Sequence, residues 1–255
     1  GAATLKNRGE KMPETLVEMK NITKTFPGVK ALDDAQLTLY KGEVLGLLGE
    51  NGAGKSTLMK ILNGNYKMDS GEILIDGVNI KDIDTDVLRA AIGQVQQDVF
   101  IFTGDIKSNI SLDNENISIE DVKRAAEIVH ADSFIEKMPG GYDAPVTERG
   151  STLSAGQRQL LSFARTLAYD PTILVLDEAT ANIDTETEAL ITSALAKLME
   201  GRTTIMVAHR LSTIQHADKI IVMHQGQIKE AGTHQELLAQ NGLYRKLYDL
   251  QLVEA

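Results

Sequence analysis

Val44-Leu45-Gly46-Leu47-Leu48-Gly49-Glu50-Asn51-Gly52-Ala53-Gly54-Lys55-Ser56-Thr57-Leu58 is a short apolar run, then a glycine-rich turn, then a lysine opening an apolar helical pattern. Residues Gly49 to Ser56 match the phosphate-loop pattern G-x-x-x-x-G-K-S. The chemistry calls for those residue types at that spacing. Glycines let successive backbone N–H groups converge on phosphate oxygens, Lys55 reaches the β and γ phosphates, and Ser56 offers a hydroxyl to Mg²⁺. The strand before it and the helix after it supply the context the pattern requires, so an ordinary glycine-rich turn is the weaker reading.

Working outward, further short apolar runs recur at residues 91–95, 173–176, 203–207 and 219–223. Together with 44–48 they are rich in Val and Ile and separated by helix-length segments, which predicts buried parallel strands of an α/β sheet. Periodicity alone leaves buried helices open. Residues 16–26, 35–40 and 72–75 read as shorter, partly alternating strands and predict an antiparallel subsheet beside the parallel one. From about residue 98 to 169 a helical lobe is expected, because the strand signal fades and Ser118-Ile119-Glu120-Asp121 opens a helix with an acidic capping pattern. Residues 139–150 read as the loop leading to a helix at Ser154.

Hydrophobic residues at 42% and charged residues at 24% match ordinary globular usage, which excludes a disordered or fibrous chain. Acidic residues outnumber basic ones 36 to 26, and the net charge of -10 argues against nucleic acid as a partner, since that needs clustered Lys and Arg. A phosphate ligand stays compatible with this charge, because one local nest of backbone N–H groups holds it. The absence of cysteine excludes a disulfide framework, a Cys-ligated zinc and a thiol nucleophile. No run approaches the roughly 18 apolar residues of a spanning helix, so this stretch is expected not to cross a membrane itself. Residues 1–13 read as a flexible leader or linker remnant, and 14–255 as one domain.

Two further motifs carry chemistry. Ile173-Leu174-Val175-Leu176-Asp177-Glu178 is an apolar strand ending in two carboxylates, where a parallel sheet's carboxyl edge faces its ligand. Asp177 suits a Mg²⁺ ligand and Glu178 a general base that polarises the attacking water. An isolated Asp-Glu pair is usually a solvated turn; the nearby phosphate loop reverses that reading. In Leu153-Ser154-Ala155-Gly156-Gln157, Ser154 is a good N-cap, and small residues at Ala155 and Gly156 would let a phosphate approach the helix N-terminus. Without context, a capped helix with no ligand would be the favoured reading.

In this order and spacing, the phosphate loop, the acidic strand and 153–157 resemble the ABC transporter ATPases, and the resemblance runs from about residue 16 to 250. It implies an α/β fold of the P-loop NTPase type, with a RecA-like core, an N-terminal antiparallel β subdomain and an inserted α-helical lobe. It also implies ATP hydrolysis with Mg²⁺, Lys55, Glu178 and His209 being catalytic and Ser56, Gln97 and Asp177 serving the metal. Gly49, Glu50, Asn51, Gly52, Ala53, Gly54, Lys55, Ser56, Thr57 and Gln97 would contact the nucleotide. Gln97 matches the family's loop glutamine, with Gln96 adjoining it; His209 matches the switch histidine and Asp184 the D-loop aspartate. Phe26 stands where the family stacks an aromatic on adenine, core packing of Phe26 being the alternative. Leu153, Ser154, Ala155, Gly156 and Gln157 match the signature, which acts on the ATP of a partner copy; Ala155 replaces the commoner Gly but keeps the small size.

The wording of residues 15–64 looks like the ATPases of bacterial sugar importers. From about residue 84 onward, Phe100-Ile101-Phe102-Thr103-Gly104-Asp105-Ile106 and Thr147-Glu148-Arg149-Gly150 look like multidrug exporters, which suggests a natural or engineered mosaic. The resemblance implies a second ABC ATPase domain as head-to-tail partner, a transmembrane domain as the driven partner, and a place at the cytoplasmic face of the membrane. Two rivals stand beside it. A soluble ABC ATPase of translation, DNA repair or cofactor assembly would share the phosphate chemistry, and a non-catalytic ATP-dependent dimerisation module would lack turnover.

Overall fold

The computed structural model describes residues 13–96, 99–147, 150–177, 185–208 and 211–254. The elements run β1 (Thr15–Phe26), β2 (Val29–Tyr40), β3 (Val44–Gly49), α1 (Lys55–Leu62), β4 (Ser70–Ile75), β5 (Val78–Asn79), α2 (Thr85–Ala91) and β6 (Ile92–Val95). There follow β7 (Gly104–Asp105), α3 (Ile106–Ser111), α4 (Ile119–Ile128), α5 (Asp132–Ile135), β8 (Pro145–Val146), α6 (Ala155–Tyr169), β9 (Ile173–Asp177) and α7 (Thr185–Met199). The chain continues through β10 (Thr203–Val207), α8 (Leu211–Ile214), β11 (Lys219–His224), β12 (Gln227–Gly232), α9 (His234–Gln240) and α10 (Leu243–Glu254).

The main sheet has the order β12-β11-β3-β10-β9-β6. Its ladders are parallel except β11 with β12, so the five runs expected as parallel strands are parallel strands. Alternation along each strand divides the side chains between two cores. Leu45, Leu47, Ile173, Val175, Ile205, Val207, Ile221 and Met223 face a core shared with β1, β2 and α1. Leu48, Leu174, Leu176, Met206, Ala208, Ile220 and Val222 face one shared with α3, α4, α6 and α7. A sheet covered on both faces needs continuous apolar strands, which is why these runs were legible as strands.

The second sheet, β2-β1-β4-β5, is antiparallel, as the partial alternation in the N-terminal third predicted. The structure starts β2 at Val29 rather than at residue 35, and the β1–β2 ladder slips register in four places. Two of those slips, between Ile22 and Thr25 of β1, accommodate Lys30, Asp33 and Asp34, the polar residues that broke the sequence signal around Ala31 and Leu32. Pro27-Gly28 closes the hairpin, Gly28 taking φ +84°, a conformation that favours glycine. A short antiparallel ladder of β7 with β8 interrupts the stretch read as helical. The edge strand β12 went unread: its half-exposed Gln227 to Gly232 lacks the apolar run that betrays buried strands.

Capping explains where the helices of this central stretch begin. Ser118 accepts from the N–H of Asp121 at 3.1 Å while the Asp121 carboxylate accepts from the Ser118 N–H at 3.0 Å, the reciprocal box expected from the sequence. Arg165 of α6 ties this region together: its guanidinium donates to the Asn109 carbonyl at 2.7 Å and to the Phe100 carbonyl at 3.1 Å. Burial draws the Arg165 pKa below the usual guanidinium value. Asn109, almost fully buried, accepts from the Phe102 N–H at 2.8 Å and donates to the Phe102 and Asp105 carbonyls.

At the C-terminal end, the Glu230 carboxylate of β12 accepts from the N–H groups of Leu243 and Tyr244, the latter at 2.9 Å, and so caps α10 from outside its own helix. Glu230→Ala is expected to remove this cap at a cost of about 1 kcal/mol, visible as a lower urea midpoint with an unchanged slope; an unchanged midpoint would show that water replaces the carboxylate without loss.

Candidate functional site

β3 lies inside the sheet, between β11 and β10, and delivers the phosphate loop to the carboxyl edge of the parallel strands. Three apolar strand residues, Leu45, Leu47 and Leu48, anchor it in the two cores. Beyond Gly49 the chain turns back within five residues: the Ala53 N–H donates to the Glu50 carbonyl at 3.1 Å, and Gly52 and Gly54 take φ of +80° and +104°. Gly54 is the N-cap of α1 and offers no side-chain cap, so the first N–H groups of the helix face the loop's interior, as an anion requires.

The glycines also answer to their neighbours. A Cβ on Gly54 would stand 2.6 Å from the Ala31 carbonyl oxygen and 2.9 Å from a Leu32 methyl, and one on Gly49 would collide with the Met223 carbonyl. Two of the loop's glycines are therefore required by packing against β2 and β11 as much as by any ligand. Lys55 is 4% exposed, and its ammonium donates to the Gly49 carbonyl and, at 3.1 Å, to that of Glu50, folding back along the loop. His224 Nδ1 lies 3.9 Å from a Glu50 carboxylate oxygen.

An open cleft of about 440 Å³ sits over the loop, lined by Phe26, Val29, Ala31 and residues 50–57. Ser56 is exposed there and Thr57 half-buried. Phe26, half-buried, packs edge-to-face on Tyr66 with centroids 5.5 Å apart, and the Lys24 ammonium lies 5.4 Å from its ring centroid. Phe26 thus lines the cleft and does not appear in either core cluster. Val29 and Ala31 are cleft residues that sequence reasoning did not single out; only the hairpin that turns them toward the loop reveals them.

Asp177 ends β9, two strands from β3, in register with Val207 and through it with Leu47. Two inter-strand steps set their backbones about 10 Å apart, on the same edge of the sheet as the loop. Among the described residues no three His, Asp or Glu side chains gather into a metal cage. The Ser56 hydroxyl and the Asp177 carboxylate are a sparse oxygen donor set, which fits Mg²⁺, an ion that keeps several waters and substrate phosphate oxygens. Gln97, Glu178, Asp184 and His209 lie outside the described residues.

Ser154 caps α6: its Oγ accepts from the Gln157 N–H at 3.1 Å, while its own N–H donates to the Gln157 side-chain oxygen at 2.9 Å. The hydroxyl proton remains available to an external acceptor. Arg158 donates to the carbonyl of the buried Leu153 at 2.7 Å, fixing the entry to the helix. Ser154 and Ala155 are exposed, whereas Gly156 is buried and a Cβ there would collide with the Thr187 side chain of α7. Helix packing therefore requires a small residue at Gly156, and Ser154 with Ala155 forms the accessible tip.

The model of the ABC transporter family matches residues 32–181. A Streptococcus pneumoniae protein named as an ABC transporter ATP-binding protein is 50% identical over 96% of this chain and 42% of its own length. A Bacillus subtilis protein named as a multidrug resistance ABC transporter ATP-binding/permease protein is 47% identical over 92% of this chain and 35% of its own, so it aligns with both the importer-like and the exporter-like wording. The structure of a bacterial Atm1-family ABC exporter with ATP bound superposes with a TM-score of 0.86 at 37% identity, over 98% of this chain and 44% of that one. The chain spans less than half the length of these relatives. With the family model matching more than half of the chain, around a phosphate loop, an acidic strand end and a capped α6 on one framework, this chain belongs to the ABC transporter family.

Proposed function

We propose that this chain is the ATP-binding and ATP-hydrolysing motor domain of an ABC transporter, and that it drives an exporter-type membrane domain. The observation that carries the reading is the cleft over the phosphate loop, with an aromatic wall at Phe26 above and the uncapped N-terminus of α1 below. ATP lies with its base against Phe26 and its β and γ phosphates among the N–H groups of residues 50–57. Lys55 then exchanges its two loop carbonyls for phosphate oxygens, and its charge offsets that of the transferred group. Mg²⁺, held by Ser56 and Asp177, would neutralise charge developing on the β and γ oxygens. Glu178 accepts a proton from the attacking water, and His209 donates to the γ phosphate. Gln97 would contact Mg²⁺ and the attacking water and would sense the membrane domain.

The exposed tip Ser154-Ala155 supports a role on a second copy. There the spare hydroxyl proton of Ser154 meets the γ phosphate of the partner's nucleotide. Each cleft lacks its second wall until a partner copy supplies it, so two domains close head to tail on two ATP molecules.

Coupling to a membrane domain is supported by the stretch after Gln97. Phe100 and Phe102 are about half exposed, stack edge-to-face at 4.8 Å, and are held by Arg165, whose guanidinium lies 5.6 Å from the Phe102 ring. Two exposed aromatics on a braced segment suit a docking surface better than a solvated loop. Among the described residues no helix is long and apolar enough to cross a membrane.

Three outcomes test this reading. Glu178→Gln is expected to keep ATP affinity and lose turnover at least about a hundredfold, since an amide keeps the shape but not the base, while Lys55→Ala loses binding itself; wild-type turnover in Glu178→Gln moves the base elsewhere. Light scattering of Glu178→Gln should report a monomer without nucleotide and a dimer with ATP, and a stable dimer in both conditions argues for another interface. With this chain fused behind an exporter's membrane domain, replacing Thr147 to Gly150 by a Gly/Ser loop should abolish transport at an unchanged basal ATPase rate. Equal transport by both fusions removes the exporter assignment of that loop.

A further inference from the structure

The phosphate loop is braced by a part of the chain some 170 residues away, the turn between β11 and β12. Gly226 in that turn uses both of its backbone polar groups. Its N–H donates to the Ala53 carbonyl inside the phosphate loop at 3.0 Å, and its carbonyl accepts from the Asp33 N–H of β2 at 2.9 Å. Asp33 lies two residues after Ala31, which lines the cleft, on the strand whose hairpin leads back to Phe26. One residue therefore joins the phosphate cradle to the strand pair that bears the aromatic wall.

The junction is built for this contact. Gly226 takes φ +76°, and a Cβ there would stand 2.8 Å from the Ala31 carbonyl oxygen and 3.0 Å from the Leu32 Cα, so β2 lies directly on the turn. The Asp33 carboxylate accepts from Lys30 and, at 2.6 Å, from the Gln227 side chain, and these two bonds hold its pKa below the usual carboxylate value. The Lys229 ammonium in turn donates to the Gln227 oxygen at 2.5 Å. The β11–β12 ladder slips register between Val222 and Met223, beside the pairing of Met223 with Gly49. Such a bulge bends a ribbon locally, here where β11 meets the phosphate loop.

We propose that Gly226 is a positioning residue for nucleotide binding: it fixes the spacing between the phosphate loop and the aromatic wall, so that base and phosphates are gripped as one ligand. The inference rests on the reading of Phe26 as the wall against which the base lies. If the two walls are held at the right spacing, the contribution of Phe26 depends on Gly226, although the two side positions make no direct contact. A residue that merely stabilised the fold would weaken all ligands alike and leave the contribution of Phe26 unchanged.

The experiment is a double-mutant cycle on the full chain, titrating ADP and, separately, inorganic pyrophosphate by calorimetry in the presence of Mg²⁺. Phe26→Ala should weaken ADP about tenfold in the parent chain but less than about threefold in a Gly226→Ala background. Pyrophosphate, which has no base, should bind Gly226→Ala within about threefold of the parent, because the loop's internal bonds remain. Alanine at φ +76° strains the turn, so the cycle is repeated with Asp33→Ala, which loosens the same junction and leaves every glycine in place. A full tenfold effect of Phe26→Ala in both backgrounds overturns the inference and leaves the Phe26 reading intact. Loss of pyrophosphate in step with ADP likewise overturns it, reducing Gly226 to a shaper of the loop. No effect of Phe26→Ala in the parent overturns the aromatic-wall reading, and the inference with it.

Discussion

The site depends on the sharp reversal at the end of β3, where the strand must give way to α1 within the five residues Glu50 to Gly54. A reversal that short leaves backbone N–H groups without intrahelical partners, and burying them unpaired would cost about 1–3 kcal/mol each. The loop is stable because its own carbonyls are engaged by Lys55 and its flanks are packed against Ala31, Leu32 and Met223. The donors left over converge on the cleft. The same constraint that makes the turn costly to fold makes it a receptor for anions, and the strands on either side supply the rigidity.

Strand order then decides what else reaches that receptor. With β10 between β3 and β9, Asp177 arrives at the sheet edge beside the loop, and α6 is directed by its packing on α3, α4 and α7 to present Ser154 at its free end. Neither placement is a local property of Asp177 or Ser154. Both follow from a twisted parallel sheet whose two faces are sealed by different cores.

Much of this was legible in the sequence, for identifiable reasons. The five parallel strands announced themselves because strands buried on both faces are apolar throughout, and the phosphate loop because its glycines, lysine and serine occur at one fixed spacing. The beginning of β2 was hidden by Lys30, Asp33 and Asp34, whose polar pattern is tolerated by bulges rather than by alternation. One reason for Gly156 was out of reach: smallness is visible in a sequence, but Thr187, which also demands it, is 31 positions away. Gly226 resembled any hairpin glycine, since nothing local says that its two backbone groups would find Ala53 and Asp33.

The clamp of Arg165 on Phe100 and Asn109 has a mechanical side. Arg165 is ten residues from Ala155 along one unbroken helix, so the anchored point and the exposed tip of α6 are about 15 Å apart. With Gly156 packed flush on α7, the helix has a fulcrum near its tip and a handle at Arg165. A tilt of about 10° imposed at the segment carrying Phe100 and Phe102 shifts one end of that arm by about 2.6 Å relative to the other. Pivoting at Gly156 divides that motion unequally: Arg165, nine residues from the pivot, travels about 2.3 Å while Ser154, two residues from it, moves about 0.5 Å, so the tip stays in place while the aromatic pair shifts.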